Sequence, residues 1–289
     1  MSEEFRKHPY RFEILFIDDG SVDQTLKILH DIAAQDIHVS VLSLSRNFGH
    51  QAAVSCGLEH AKGDAVIIID VDLQDPPSLI SEMILAWESG CQNVYARRIE
   101  RKGESFFKRA SAKSFYRILN SISEVDIPLD TGDFRLLDRE VVDAFLRMPE
   151  RSRFLRGMFP WLGFKQKEVQ FIRNERYAGQ TKYSMKKMVN LAVDGVLGFS
   201  VKPLRMAIWV GLFFSATSFG YSVAALISKI LSMGSLLPGY TTIVVLLSFL
   251  GGIQLLAIGM IGEYLGRTYL EVKSRPMFIV NERLSLRRK

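Results

Sequence analysis

The chain has 289 residues, with 37 Lys and Arg against 31 Asp and Glu and a formal net charge of +6; that length suits one large domain or a domain with an appendage. The excess charge gathers beside apolar segments, which favours an anionic membrane surface over nucleic acid, and neither a zinc-finger spacing nor an aromatic RNA-binding signature is found. Two cysteines, Cys56 and Cys91, have no metal-ligand spacing, make no disulfide framework, and read as reduced core residues.

The opening MSEEFRKHPY is polar and unlike a signal peptide, so the part that follows is expected in the cytoplasm. Four short apolar runs come next: FEILFI (12–17), VSVLSL (39–44), AVIII (65–69) and NVYA (93–96). Continuous runs of this kind suit strands buried on both faces, and the segments between them suit crossover helices. The expected class is α/β, an open and mostly parallel sheet that binds ligands beyond the carboxyl ends of its strands.

The first run ends in Asp18 and Asp19, before Gly20, Ser21 and Asp23. A helix cap and a turn would account for one or two of these residues, and the adjacent carboxylates suit hydrogen bonds from a nucleobase N–H and ribose hydroxyls. The third run ends in Asp70-Val71-Asp72-Leu73-Gln74-Asp75-Pro76-Pro77. Carboxylates at i and i+2 of an extended chain project to one side, and such hard oxygen ligands suit Mg2+ or Mn2+ shared with a diphosphate. The prolines fix the turn into the next helix.

After the fourth run, residues 97–117 interleave Arg97, Arg98, Arg101, Lys102, Lys108, Arg109, Lys113 and Arg117 with Phe106, Phe107, Phe115 and Tyr116. That pattern predicts a basic amphipathic helix at a membrane surface, whose arginines are candidates to hold a lipid phosphate. Residues 185–199 form a second interfacial stretch. Two apolar segments, about 204–227 and 241–262, each approach the roughly 20 residues that span a bilayer. Lys229 is the one positive charge in the loop between them, whereas Lys202 and Arg205 on one flank and Arg267, Lys273 and Arg275 on the other are basic. The positive-inside rule then puts both ends in the cytoplasm.

These motifs, together with L-S-R-N-F-G-H-Q-A-A (44–53), D-T-G-D-F-R-L-L-D-R (130–139), G-Q-T-K-Y (179–183) and F-S-V-K-P-L-R before the hairpin, resemble glycosyltransferase family 2 enzymes of the GT-A fold that act on polyprenyl phosphates. The bacterial undecaprenyl-phosphate glucosyltransferases and, more distantly, dolichol-phosphate mannose synthase are of this kind. The resemblance covers nearly the whole chain. It implies a divalent ion at Asp72, with Asp70 and Gln74 near the diphosphate, and Asp18 or Asp19 at the nucleotide base. It also implies that Asp133 and Arg135 lie close to the reacting centre, Asp133 to position acceptor or sugar and Arg135 to meet a phosphate, as Lys182 would. Members usually open with a strand resembling V-V-I-P-V-Y-N-E, and this chain starts after it, which predicts a weakened base pocket.

The expected organisation is a catalytic domain (1–182), a juxtamembrane amphipathic segment (183–203), a two-helix transmembrane hairpin (204–262) and a basic cytoplasmic tail (263–289). The expected function is inverting transfer of a sugar, first of all glucose, from a UDP-sugar to undecaprenyl phosphate at the cytoplasmic face of the inner membrane. Its product would be a lipid-linked donor for cell-envelope glycan. The partners are then the nucleotide-sugar, the lipid and the membrane, with homo-oligomerisation open and nucleic acid not expected. The competing readings are a non-catalytic lipid- or nucleotide-binding remnant and a processive sugar polymerase, the latter lacking its Q-x-x-R-W-like motif here.

Overall fold

The structure, a computed structural model, describes residues 2–72, 74–99, 131–171, 202–230 and 239–285. All four apolar runs form strands: β1 (Ile14–Asp18), β2 (Val39–Leu44), β3 (Ala65–Ile68) and β4 (Asn93–Arg98). A short helix, α1 (Ser2–Phe5), precedes them, and α2 (Thr25–Gln35), α3 (His50–His60) and α4 (Leu79–Glu88) fill the intervals as crossover helices. Beyond the fourth run come β5 (Thr131–Asp138), α5 (Arg139–Leu146), α6 (Leu155–Trp161) and β6 (Gln166–Phe171).

The strands form two mixed sheets, where the sequence suggests one mostly parallel sheet. One sheet has the order β3-β5-β4-β6, in which β5 is antiparallel to both β3 and β4 while β4 and β6 run parallel. The buried run T-G-D-F-R-L-L of β5 is paired along both edges by β3 and β4 and covered on one face by α4 and on the other by helices that follow it. The other sheet joins β1 and β2 in parallel to an antiparallel β7 (Val280–Ser285). Part of the segment read as a basic tail is thus a strand of the first half of the chain. The apolar face of α4, with Ile80 and Met83, closes over Val94, Phe134, Leu136 and Val169. On the opposite side α5 and α6 pack Phe145 on Phe159, ring centroids 5.1 Å apart, over Leu137. Cys56 and Cys91 are buried free thiols, and burial pushes Cys56 up to about 11.

Among the described strands β1 pairs with β2 alone and β3 with β5 alone. Their remaining edges border a cavity of about 410 Å3 lined by apolar side chains such as Leu15, Ile17, Val54 and Ile67, with His50 and Asp70 also on its wall.

The two long apolar segments form α7 (Lys202–Ile230) and α8 (Tyr240–Val272), which contact each other. The stretch Phe249–Val272 is long and apolar enough to cross a membrane. Ile208, Trp209 and Phe213 on α7 and Leu255 and Leu256 on α8 are exposed, an apolar surface that water disfavours and lipid accepts. The 33 residues of α8 rise roughly 50 Å, about 20 Å more than a hydrocarbon core. Its far end reaches the sheet domain, where the Glu271 carboxylate accepts N–H groups of Arg151 and Ser152 at 3.0 Å. The Arg151 guanidinium returns a hydrogen bond to the Arg275 carbonyl. A carboxylate in the last turn of a helix opposes the helix dipole, so these bonds must more than offset its placement. Glu271→Ala is expected to lose about 1.5–3 kcal/mol, the range for hydrogen bonds to a charged group, measured as a lowered unfolding midpoint of the detergent-solubilised protein.

Candidate active site

The carboxyl ends of β1, β2 and β3 and the buried strand β5 bring the motifs together. Asp18 is buried at the end of β1, where it accepts hydrogen bonds from Ser43 Oγ at 2.8 Å and from the Ser21 N–H at 3.2 Å. Asp19 takes the N–H groups of Phe48 and Gly49 at 2.7 and 2.9 Å, one on each oxygen. Gly20 lies between the two loops with φ +66°, and a Cβ there would stand 2.4 Å from the Arg46 carbonyl carbon, so only glycine allows this approach. In this structure Asp19 holds the loop that starts α3, and Asp18 is tied to β2 and to its own turn.

His50, the first residue of α3, is what that loop delivers. Its Nε2 lies 3.0 Å from Asp133 Oδ2, across 83 residues of sequence. From α6, Arg156 donates Nε to Asp133 Oδ1 at 3.2 Å and Nη2 to Oδ2 at 3.3 Å. Burial alone would raise the Asp133 carboxyl; the His50 hydrogen bond, the charge and hydrogen bonds of Arg156 and the charge of Arg135 outweigh it and hold Asp133 far below the usual carboxylate range. The same hydrogen bond raises His50, against its partial burial and the Arg156 charge, with the charges of Asp133 and Asp70 assisting.

Arg135 lies on the same face of β5 as Asp133 but deeper, 3 % exposed, with its guanidinium 4.5 Å from the centre of the Phe159 ring and Nη2 donating to the Gly132 carbonyl. Burial lowers it to about 10, opposed by Asp133, so it stays a cation at neutral pH. It reaches the centre as a charge beneath Asp133, where the sequence suggests a phosphate contact.

Asp70 and Asp72 follow β3. Asp72 is exposed and accepts the Gln74 N–H at 3.1 Å, and Gln74 itself is buried. Although part of Asp70 meets solvent, the packing around its carboxyl raises it, the charges of Asp133 and Asp72 add to this, and His50 and Arg156 oppose them. A carboxylate disfavoured by like charges suits a cation. No group of three or more His, Cys, Asp or Glu able to hold a metal occurs among the described residues. Two hard carboxylates fit an ion of the Mg2+ type, which keeps waters and takes substrate phosphate oxygens for its other positions.

Of the arginines expected at the acceptor, Arg97 pairs with Glu168 across β4 and β6 at 2.9 Å. Arg98 lies 3.8 Å from the buried Asp75. Arg101, Arg117 and Lys182, and both expected interfacial segments beyond residue 99, lie outside the described residues. Sequence reasoning missed His50 and Arg156. His50 stands inside a quoted motif, so its placement after a strand was a usable signal; Arg156 had none.

A carboxylate pair at a strand end beside a cation-clamped buried aspartate, on a sheet domain joined to an apolar hairpin, defines a membrane-associated group-transfer enzyme. Residues 3–146 match the family Glycosyl transferase family 2, and residues 202–268 match the GtrB C-terminal hairpin. Among similar proteins is the "Bactoprenol glucosyl transferase" of Shigella phage SfII, 44 % identical over 95 % of this chain and 88 % of that one. The "Prophage bactoprenol glucosyl transferase homolog" of Escherichia coli K12 is 44 % identical over 94 % and 88 %, and the "Uncharacterized glycosyltransferase YkcC" of Bacillus subtilis 168 is 46 % identical over 96 % and 86 %. The chain belongs to glycosyltransferase family 2, with the GT-A fold and the GtrB-type hairpin, and it is a glycosyltransferase.

Proposed function

We propose that this enzyme transfers glucose from UDP-glucose to undecaprenyl phosphate, with inversion, at the cytoplasmic face of the inner membrane. The reading rests on the convergence of Asp70, Asp72, His50, Asp133 and Arg156 at one end of the sheets, in a chain whose relatives include bactoprenol glucosyl transferases. Residues 1–182 would act as the catalytic domain, 183–203 as the juxtamembrane segment, 204–262 as a multi-pass anchor and 263–289 as a cytoplasmic return.

The acceptor sets the mechanism. A phosphate monoester with a second pKa near 6 is largely dianionic at neutral pH, so its oxygen needs no base to attack the anomeric carbon. The new bond joins that oxygen to the sugar, and the sugar–diphosphate bond breaks on the opposite face. Asp133, with both oxygens hydrogen-bonded, serves as a counter-ion that orients His50 and Arg156. Asp70 and Asp72 would hold Mg2+ or Mn2+, which supplies positive charge to the departing diphosphate. Gln74 lies next to that site, and the arginines of the 97–117 segment, with Lys182, would gather the lipid phosphate.

The test is to incubate membranes carrying the full chain with labelled UDP-glucose and undecaprenyl phosphate. Formation of an organic-soluble glucosyl lipid is the expected result. Transfer from another nucleotide-sugar alone would change the donor, and nucleotide binding without transfer from any donor would overturn the reading.

A further inference from the structure

Resting on the reading above, we propose that His50 is a substrate-binding residue whose imidazole, anchored to Asp133 through Nε2, presents its second ring nitrogen to a phosphate oxygen at the reacting centre. The asymmetry of exposure motivates this: the His50 side chain is 46 % exposed while Asp133 is 6 % exposed. One ring nitrogen is thus tied to a buried anion, and much of the ring remains accessible on the wall that also carries Asp70. A histidine serving only to satisfy Asp133 would be redundant, because Arg156 already donates to both of its oxygens.

Position on the helix points the same way. His50 is the first residue of an 11-residue helix with no side-chain cap, and Asp19 consumes the N–H groups just before it. A cation there opposes the helix dipole, so its placement requires anions on the other side, and Asp133 is one. The dipole itself favours a phosphate at the same end. The charged groups that act on the ring are Asp133 of β5, Asp70 after β3 and Arg156 of α6. The hydrogen bond to Asp133 favours the charged imidazolium, which can then donate from Nδ1 to a phosphate oxygen. That oxygen belongs either to the donor diphosphate or to the lipid phosphate.

The experiment uses the full chain in nanodiscs with two variants. His50→Gln retains an N–H donor for Asp133 but removes the charge and the second nitrogen; His50→Lys restores a cation without the ring. Binding of UDP is measured by calorimetry, and the apparent KM for undecaprenyl phosphate by glucosyl-lipid formation. For His50→Gln we expect a tenfold or greater weakening of one of the two, UDP if the donor diphosphate is the ligand and the lipid KM if the acceptor is. His50→Lys should recover most of it, with both unfolding midpoints near that of the wild type. UDP affinity and lipid KM both within twofold of wild type in His50→Gln would overturn the proposal. So would a loss that His50→Lys leaves unrepaired, or one that tracks a lowered unfolding midpoint. Failure of the wild-type protein to transfer glucose would instead count against the proposed function, since UDP binding is read without turnover.

Discussion

Asp133→Ala is expected to be the most damaging single substitution in the sheet domain, lowering stability by about 3–5 kcal/mol, the range for removing one partner of a buried ion pair, and abolishing transfer. The carboxylate is the common acceptor of His50 and Arg156 and the nearest counter-charge to Arg135. His50 can shed its proton and Arg156 is partly exposed, but Arg135 is fully enclosed beneath Phe159 and would be left as an uncompensated buried cation. Thermal unfolding of the solubilised protein measures the first effect and glucosyl-lipid formation the second. The pH dependence follows from the direction of the shift. Asp133 is held below its unfolded value in the folded protein, so its contribution is present above the unfolded carboxyl range and lost as pH falls through the folded value. The stability gap between wild type and variant should therefore be full near pH 7 and narrow under strong acid. A gap that widens on acidification, or an unfolding midpoint unchanged at pH 7, would show that the cluster is not held by this carboxylate.

Asp72→Asn should leave the fold intact and remove most turnover. The side chain is exposed at a strand end, so its packing contribution is small. Its loss converts one hard anionic ligand of a two-carboxylate site into a neutral amide. If the ion contributes several kcal/mol to the departing diphosphate, a deficit of about 3 kcal/mol corresponds to a rate loss of roughly a hundredfold or more. An independent readout is the rise in unfolding midpoint on adding Mn2+ with UDP, present in the wild type and absent in the variant. Near-normal turnover that still requires a divalent ion would move the site elsewhere.

Arg97 is committed to Glu168 at the edge of the sheet, so a joint Arg97, Arg98 and Arg101 to Gln replacement would perturb strand pairing as well as any acceptor contact.

The local features were legible in the sequence because they depend on local chemistry. Buried strands must be apolar along their length, and the four runs form β1 to β4 with bounds moved by two residues or fewer. The hairpin helices were legible for the same reason, since about 20 apolar residues in a row have few other uses. Asp70 and Asp72 stood out as carboxylates ending an apolar strand. What periodicity does not carry is which strand pairs with which. The antiparallel insertion of β5, the return of β7 to β2 after the hairpin and the docking of Glu271 onto Arg151 and Ser152 each join residues far apart in the chain. The centre of the site is of that kind: His50, Asp133 and Arg156 come from a helix start, a central strand and a second helix, and only packing brings them within hydrogen-bonding distance. Once there, their mutual hydrogen bonds and charges outweigh burial and hold Asp133 as an anion among the cations around it.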